Sequence, residues 1–566
     1  MRWSLVILLV VLPLVCAQEG TIPLLALVED GTNTSGAIVD LHLEVLSGKG
    51  RVFLETIPLT KITTQISMRF AKQIACDARD ASCAHYDFFY TITGFPGVVG
   101  GPSAGAAATI LAVSVLENLP LDKEVAISGT INSGGIIGPV GGLVEKIEAA
   151  ATGGMKTVLI PLGTRNASRG NESIDLVEHG KALGIEVIEV GTLDEVLPYF
   201  MNIDTSSPKG TVELSEKYTE AMKQVADNLC SRAFNVSAVD AENLTLRATQ
   251  SYEEQQYYAA ASYCFRINVL SRQQLLANSS SEDIAAGIDE LTVKLEEFEQ
   301  ELEGQDLQTL TDLQVYMSVD ERILEVYDLL EQAEQGDAEA LAFARERLVS
   351  AKSWASFFGG QDNEYVIDEA RLKKSCADKR LEAEERYSYL TDLLGQRVTA
   401  LRDAISLSYE YADKGQYSRC LYAASKVKAD IDAVLGVMNV NDPRAVLDLK
   451  LSVVNASLLR AQEEGVFPII SYNYQQYARA LADDDVDSAL LFAEYALEFA
   501  ELDLYFDREQ PTLVEEMSFE PLSSFLIGIG AGIVFSLIYF AFALKTVRRR
   551  KTLQTPRKRR SRGKKR

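Results

Sequence analysis

Histidine is close to missing from this chain: three residues in 566. A mechanism that needs an imidazole base has almost nothing to draw on, and lysine becomes the better candidate for a proton acceptor. Cysteine is scarce as well, at seven, with no CxxC pair and no Cys/His metal spacing, so no zinc or other metal is expected. No GxxxxGK[ST] phosphate loop occurs anywhere, so no nucleotide-driven step is expected and no cofactor is implied. Positive charge is short overall, with 55 Lys and Arg against 81 Asp and Glu. Thirteen of those basic residues lie between Lys545 and Arg566, which contains no acid. The rest is therefore strongly acidic, which argues against nucleic acid as a partner of the folded part.

Both ends read as targeting segments. Arg2 precedes a 12-residue apolar run, Leu5 to Cys16, too short to span a bilayer at roughly 20 residues. With small residues before Gln18, residues 1–17 are expected to be a removable signal peptide. Pro521 to Leu544 is uncharged and long enough, at about 36 Å as a helix, to cross a membrane. Acids precede it (Glu515, Glu516, Glu520) and Lys545, Arg548, Arg549, Arg550 and Lys551 follow it. The positive-inside bias then puts the 545–566 tail in the cytoplasm and everything before the span outside the cell membrane. Sequons at Asn33, Asn166, Asn171, Asn235, Asn243, Asn278 and Asn455 agree with export. After the leader, Cys76, Cys83, Cys230, Cys264, Cys376 and Cys420 remain. An even count outside the cell suggests disulfides; chain order suggests 76–83, 230–264 and 376–420 among 15 possible pairings.

Between the ends the chain changes character once. Residues 18–203 read as mixed α/β, with strands over 36–45, 51–54, 88–92, 125–131, 157–160 and 186–190. Helices are expected over 59–75, 104–118, 143–152 and 193–200. After the linker-like 204–210, glycine becomes rare and helical spacing runs to about residue 510. Ile284, Ile288, Leu291, Leu295, Phe298 and Leu302 make one apolar stripe on a long helix. Three Ala- and Tyr-rich stretches, 257–265, 417–424 and 489–499, suit closely packed helical hairpins.

The chemistry concentrates in the first of these regions. Gly101-Pro102-Ser103-Ala104-Gly105 holds a serine between glycines, and Lys146 follows 43 residues later on a glycine-opened helix. Together they are the two parts of a Ser–Lys hydrolase. A nucleophile elbow would need a strand before Ser103 and an Asp and His after it. A glycine-rich loop precedes it instead, and His179 is the one downstream histidine. A plain helix cap remains an alternative for Ser103, and a surface lysine one for Lys146.

The stretch from Glu124 to Ala150, followed by Gly154-Met-Lys-Thr-Val-Leu-Ile-Pro161, resembles the proteolytic domain of Lon proteases (peptidase family S16). The likeness runs from about Leu24 to Phe200 and includes Ser47-Gly-Lys-Gly-Arg-Val-Phe-Leu54. The resemblance implies that Ser103 is the nucleophile and Lys146 the general base. It also implies that Ser128 stands for the family's threonine whose hydroxyl meets the lysine amine. Gly101, Pro102 and Gly105 would shape the nucleophile turn. A lysine of pKa about 10.4 is neutral in only about one molecule in 2,500 at pH 7, so burial must bring it down by roughly three units. Thr130 stands where many members have glutamate, Gly100 where an acid is common, and Thr91 where some carry histidine.

The fold expected is therefore an α/β Lon-type proteolytic domain (18–203), an all-α helical-hairpin domain (204–510) and one C-terminal transmembrane helix (521–544). The activity expected is an ATP-independent, membrane-anchored serine endopeptidase acting on unfolded or exported proteins, with homo-oligomer formation open. A silent scaffold whose helical region binds partners, and a Ser–Lys amidase or esterase, remain alternatives.

Overall fold

A computed structural model describes residues 18–506 apart from 31–32, 57–61, 80–82, 94–100, 170–171, 206–207, 236–240, 278, 303–304, 306, 360–364, 439 and 441. The leader (1–17), the apolar span (521–544), the basic tail (545–566), Gly100, and the sequons at Asn171 and Asn278 lie outside the described residues. Among the described residues, no helix is long and apolar enough to cross a membrane.

The first region folds around a seven-stranded sheet. Strands β1 (Gln18–Asp30), β2 (Asn33–Ser47), β3 (Val52–Thr56), β4 (Tyr86–Thr93) and β5 (Val125–Ile127) belong to it. So do two later strands, β8 (Thr157–Pro161) and β11 (Glu186–Val190), giving the order β11-β8-β5-β1-β2-β4-β3. Between β5 and β8 lie the short pair β6 (Thr130–Ile131) and β7 (Ile137–Gly138); β9 (Asn166–Arg169) and β10 (Glu172–Asp175) form a hairpin before β11. On β2, Val39, Leu41, Leu43 and Val45 are all buried, which is the period of two that a strand with one core face requires.

Two strand readings change. The stretch 18–30 is a full strand although Pro23 interrupts it. On one side β1 pairs with β2 along its whole length; on the other it meets β5 only at Leu24↔Ile127, so a missing N–H costs the ladder little. The single strand expected over 125–131 breaks in two, because the ladder to β8 ends at the Ser128 N–H and Gly129 turns instead to the backbone of Ser103.

Alternation along the strands sorts the helices into two layers. Leu24, Val125, Ile127 and Leu159 join a cluster with α1 (Ile62–Asp77), α2 (Gly105–Glu117) and α5 (Leu193–Phe200). Leu25, Ala126, Val158 and Ile160 join the opposite one, with α3 (Leu143–Thr152) and α4 (Leu176–Leu183). Residues next to each other on β5 and β8 thus point into different cores, and the sheet is covered on both faces.

The second region is all helix. It runs α6 (Glu216–Ala233), α7 (Glu242–Glu253), α8 (Tyr257–Leu276), α9 (Ser281–Leu302), α10 (Leu310–Glu334) and α11 (Ala338–Trp354). It continues with α12 (Glu369–Leu394), α13 (Thr399–Asp413), α14 (Tyr417–Val437), α15 (Pro443–Glu463), α16 (Ile469–Leu481) and α17 (Val486–Ala500). The Ala/Tyr-rich stretches open or form the second helices of three packed hairpins, α7–α8, α13–α14 and α16–α17. On α9, Ile288, Leu291, Leu295, Phe298 and Leu302 are buried, and Ile284 packs beside them. The six cysteines form Cys76–Cys83, Cys230–Cys264 and Cys376–Cys420. All the described elements, α/β and helical, belong to one compact unit.

Candidate active site

Ser103 sits in a single 3-10 turn, Pro102–Ala104, that leads straight into α2. Gly101 before it has φ 118°, a value that a side chain would strain, and Pro102 fixes the first position of the turn. The expected helix 104–118 therefore starts one residue later, and Ser103 is partly exposed at its mouth rather than capping it. Gly105 lets α2 approach β6: a Cβ there would lie 3.1 Å from the Ile131 nitrogen.

Ser128 and Gly129, the two residues that leave β5, tie this turn to the sheet. The Ser128 N–H donates to Leu159 O at 3.1 Å on the β8 side. The Gly129 N–H donates to Ser103 O (3.3 Å), and its carbonyl accepts from the Ala106 N–H (3.1 Å). The Gly105 N–H is taken by Pro102 O. Since the amides of 105 and 106 are already engaged, oxyanion donors at this helix start are to be sought at Ser103 and Ala104.

Lys146 approaches from the other helix layer. Gly142, at φ 66°, opens α3, and its carbonyl accepts from the Lys146 N–H at 3.1 Å, which places Lys146 in the first turn. Leu143, Val144 and Ile147 bury that turn, and Lys146 itself is only 2% exposed. Its Nζ donates to Ser128 Oγ at 3.0 Å. Burial lowers the amine from 10.5 to about 8; Glu145, next in the chain, opposes the shift. Glu145 is engaged by Arg169 at 3.2 Å, which holds its charge away. At pH 7 an amine of this kind is neutral in about one molecule in ten, against about one in 3,000 for a free lysine.

Ser103, Ser128 and Lys146 thus come from three elements: Ser128 meets the Lys146 amine by its hydroxyl, and the next residue, Gly129, meets the Ser103 backbone. A buried amine on the first turn of α3, lowered to about 8 and held by the Ser128 hydroxyl, has the chemistry to take the proton of a nucleophile. His179 Nε2 lies 3.2 Å from a Glu148 carboxylate oxygen at the α3–α4 contact, without a hydrogen bond between them. Thr130 is buried, with its hydroxyl donating to Asn132 Oδ1 at 3.3 Å, and Thr91 is partly buried on β4. Among the described residues, no group of His, Cys, Asp and Glu could hold a metal ion.

Sequence reasoning misses the helical region's part in this site. Arg386 on α12 donates to Ile131 O and Asn132 Oδ1. Glu498 accepts from Ser133 (2.8 Å), and Glu501 accepts from the Gly134 N–H (2.7 Å). In the sequence these are ordinary charged helix residues; nothing local marks them as buried.

Residues 32–202 match the family model described as Lon protease (S16) C-terminal proteolytic domain. Similar curated proteins include the archaeal Lon protease of Thermococcus kodakarensis, 36% identical over 113 residues, covering 20% of this chain and 16% of that protein. Lon protease 2 of Bacillus subtilis is 39% identical over 105 residues, covering 18% and 17%. The archaeal Lon protease of Pyrococcus abyssi is 34% identical over 145 residues, covering 26% and 12%. The matched part spans less than a fifth of the length of each of these relatives.

Proposed function

We propose that the chain is a serine peptidase that cleaves peptide bonds with a Ser103–Lys146 dyad and without nucleotide. The observation that carries this reading is the buried Lys146 amine, lowered to about 8 and held at 3.0 Å from Ser128, whose neighbour Gly129 bonds the Ser103 backbone. The likeness of residues 32–202 to the S16 proteolytic domain supports it.

In this mechanism the neutral Lys146 amine takes the proton of Ser103 Oγ as that oxygen attacks the scissile carbonyl carbon. Backbone N–H groups at the Ser103 turn face the developing oxyanion. Collapse breaks the C–N bond, and the Lys146 ammonium returns its proton to the leaving amine. Water then attacks the Ser103 ester, with Lys146 accepting its proton; collapse breaks the ester C–O bond, Lys146 returns the proton to Ser103 Oγ, and the acid product leaves. Ser128 orients the amine as a neutral acceptor, so it adds no charge that would raise the lysine.

The substrates follow from what the sequence lacks. With no phosphate loop to drive unfolding, the enzyme acts on unfolded chains, loops or exposed termini. The leader, the apolar segment 521–544 and the basic tail support a single-pass anchor with the catalytic region (18–203) and helical region (204–510) outside the membrane. Exported proteins are then the accessible substrates.

The test uses the full-length chain in detergent, incubated with unfolded casein and no nucleotide. Wild-type cleavage that Ser103→Ala and Lys146→Ala both abolish supports the reading. Ester turnover without peptide cleavage replaces it with an esterase or amidase; no turnover by any form replaces it with a scaffold.

A further inference from the structure

We propose that α12 of the helical region is a positioning element of this site, with Arg386 the residue through which it fixes the segment joining Ser128 to Lys146. The proposal rests on the Ser–Lys reading and names a part of the machinery that lies outside the matched domain.

Between Ser128 and Lys146 the chain has little structure of its own. It holds the two-residue strands β6 and β7, a 3-10 turn at Ser133–Gly135, and glycines at 134, 135, 138, 141 and 142. Its own pairing is short, β6 with β7 and the Asn132 N–H with Ile136 O, helped by the Ile137 N–H on Gly191 O, and its two ends carry the two groups that must meet.

One face of α12 runs along it. Arg386 reaches Ile131 O and Asn132 Oδ1; the Tyr389 hydroxyl donates to Pro139 O at 3.1 Å; Leu393 comes within 3.7 Å of where a Cβ on Gly141 would be. Positions 386, 389 and 393 share one helix face, and they meet the segment in its own chain order. One residue back, the Ser67 hydroxyl of α1 donates to Glu385 at 2.5 Å, so α12 is fastened to the layer that carries Ser103 as well.

The chemistry of Arg386 points the same way. It is 2% exposed, and its Nε lies 3.2 Å from Asp432 Oδ1. Burying a guanidinium costs free energy that an ion pair often fails to return, so a pair of this kind is weak evidence for stability. What the group does gain is geometry: one Nη donates to a backbone carbonyl and a side-chain amide oxygen, while Asp432 stands beside Nε as a charge partner without a hydrogen bond. The carbonyl belongs to β6, three residues after Ser128.

The test uses the full-length chain and four variants: Arg386→Met, Arg386→Lys, Tyr389→Phe and Asn132→Ala. Asp432 keeps Lys428 at 3.4 Å in the first of these, whereas Glu385 loses its cationic neighbour, so the folded fraction of that variant is measured alongside. Two readouts are taken: kcat and KM on a fluorogenic peptide across pH, and the pH midpoint for labelling of Lys146 by trace acetic anhydride, read by mass spectrometry. Arg386→Met is expected to lower kcat by about 10–100-fold, with KM within about threefold. The labelling midpoint moves with it. Arg386→Lys restores part of the loss, and the well-folded Tyr389→Phe and Asn132→Ala lower kcat by about two- to fivefold.

Unchanged kcat and labelling in Tyr389→Phe and Asn132→Ala, or an Arg386→Met loss that only tracks the folded fraction with the midpoint unmoved, overturns the proposal. If wild type cleaves nothing, the peptidase reading falls by itself. The labelling midpoints then still decide whether α12 sets the surroundings of Lys146.

Discussion

Lys146 Nζ donates to Ser128 Oγ at 3.0 Å, both side chains being buried. A second buried lysine–serine contact in the same molecule shows what this arrangement depends on. Lys428 Nζ donates to Ser133 Oγ at 3.2 Å, yet Glu498 and Asp432 beside it outweigh burial and hold its amine above the usual lysine value. Glu498 in turn stays near 2, since Lys379 and Lys428 outweigh its burial. Two buried lysines, each with a serine hydroxyl as partner, are shifted in opposite directions, and the carboxylates decide which can be a base. The pH profile should report this. Activity on a peptide is expected to rise with pH through a midpoint near 8 and then level off, because the neutral amine is the active form. A profile flat from pH 6 to 9 would remove Lys146 from the role of base.

Ser128 is expected to act through its hydroxyl alone. Ser128→Ala leaves the amine buried without that partner and is expected to lower kcat by about 10–100-fold, with a smaller effect on KM. Ser128→Thr keeps the oxygen and adds one methyl to a tight site, so it should retain activity within about fivefold. Steady-state kinetics on the two purified variants distinguish an orienting hydroxyl from a strand serine, for which both changes would be nearly silent.

The depressed lysine also carries a stability cost with a definite sign. The unfolded chain holds this proton up to about 10.5 and the folded chain releases it near 8, so between those values the unfolded state binds more protons and stability rises with pH. Below that window the folded state bears the whole cost, about 3 kcal/mol. Lys146→Met should therefore be inactive yet more resistant to guanidinium at pH 7, and its advantage should shrink toward pH 10. An advantage that is constant with pH would place the effect elsewhere.

The parts of this molecule that were legible in the sequence are those whose meaning is local. The glycine-flanked serine, the glycine-opened lysine helix and the period-two strands declare themselves within a few residues, and α3 and α5 fall on the expected bounds. Less legible was β1, whose strand character depends on pairing with β2 rather than on its own pattern. Wholly illegible was the contact of α12 with the site. Arg386 is separated from Asn132 by 254 residues, and a stretch rich in Lys, Glu and Arg reads as a solvated helix face until the opposing carboxylates are in place.

Close packing of α3 on β2 sets where Lys146 stands. A Cβ on Gly36 would lie 2.0 Å from Glu145 O, a backbone atom that cannot swing away. Gly36→Ala should push α3 off the sheet, costing about 1–3 kcal/mol and at least about tenfold in activity. Gly154→Ala is the control. It has a positive φ of 82° but nothing within 4 Å, so it should cost only about 1 kcal/mol and leave turnover unchanged. Equal losses in both would mean that backbone strain, not helix placement, governs the first.

Cys376–Cys420 joins α12 to α14 and closes a separation of 44 residues, whereas Cys76–Cys83 closes only 7. Chain entropy makes the longer loop the more stabilising, at about 4 kcal/mol against roughly 2.4 kcal/mol for the shorter, before any native-state relaxation. Replacing Cys376 and Cys420 by Ser should therefore lower the unfolding midpoint more than replacing Cys76 and Cys83. The two pairs should also separate in kinetics. Loosening α12 frees the Arg386 face and should reduce kcat at temperatures well below unfolding, while loss of the short loop at the end of α1 should not. Matched thermal melts and turnover measurements on the two double variants check both orderings, and a reversed order in kcat would mean that α12 is held against the site without help from its disulfide.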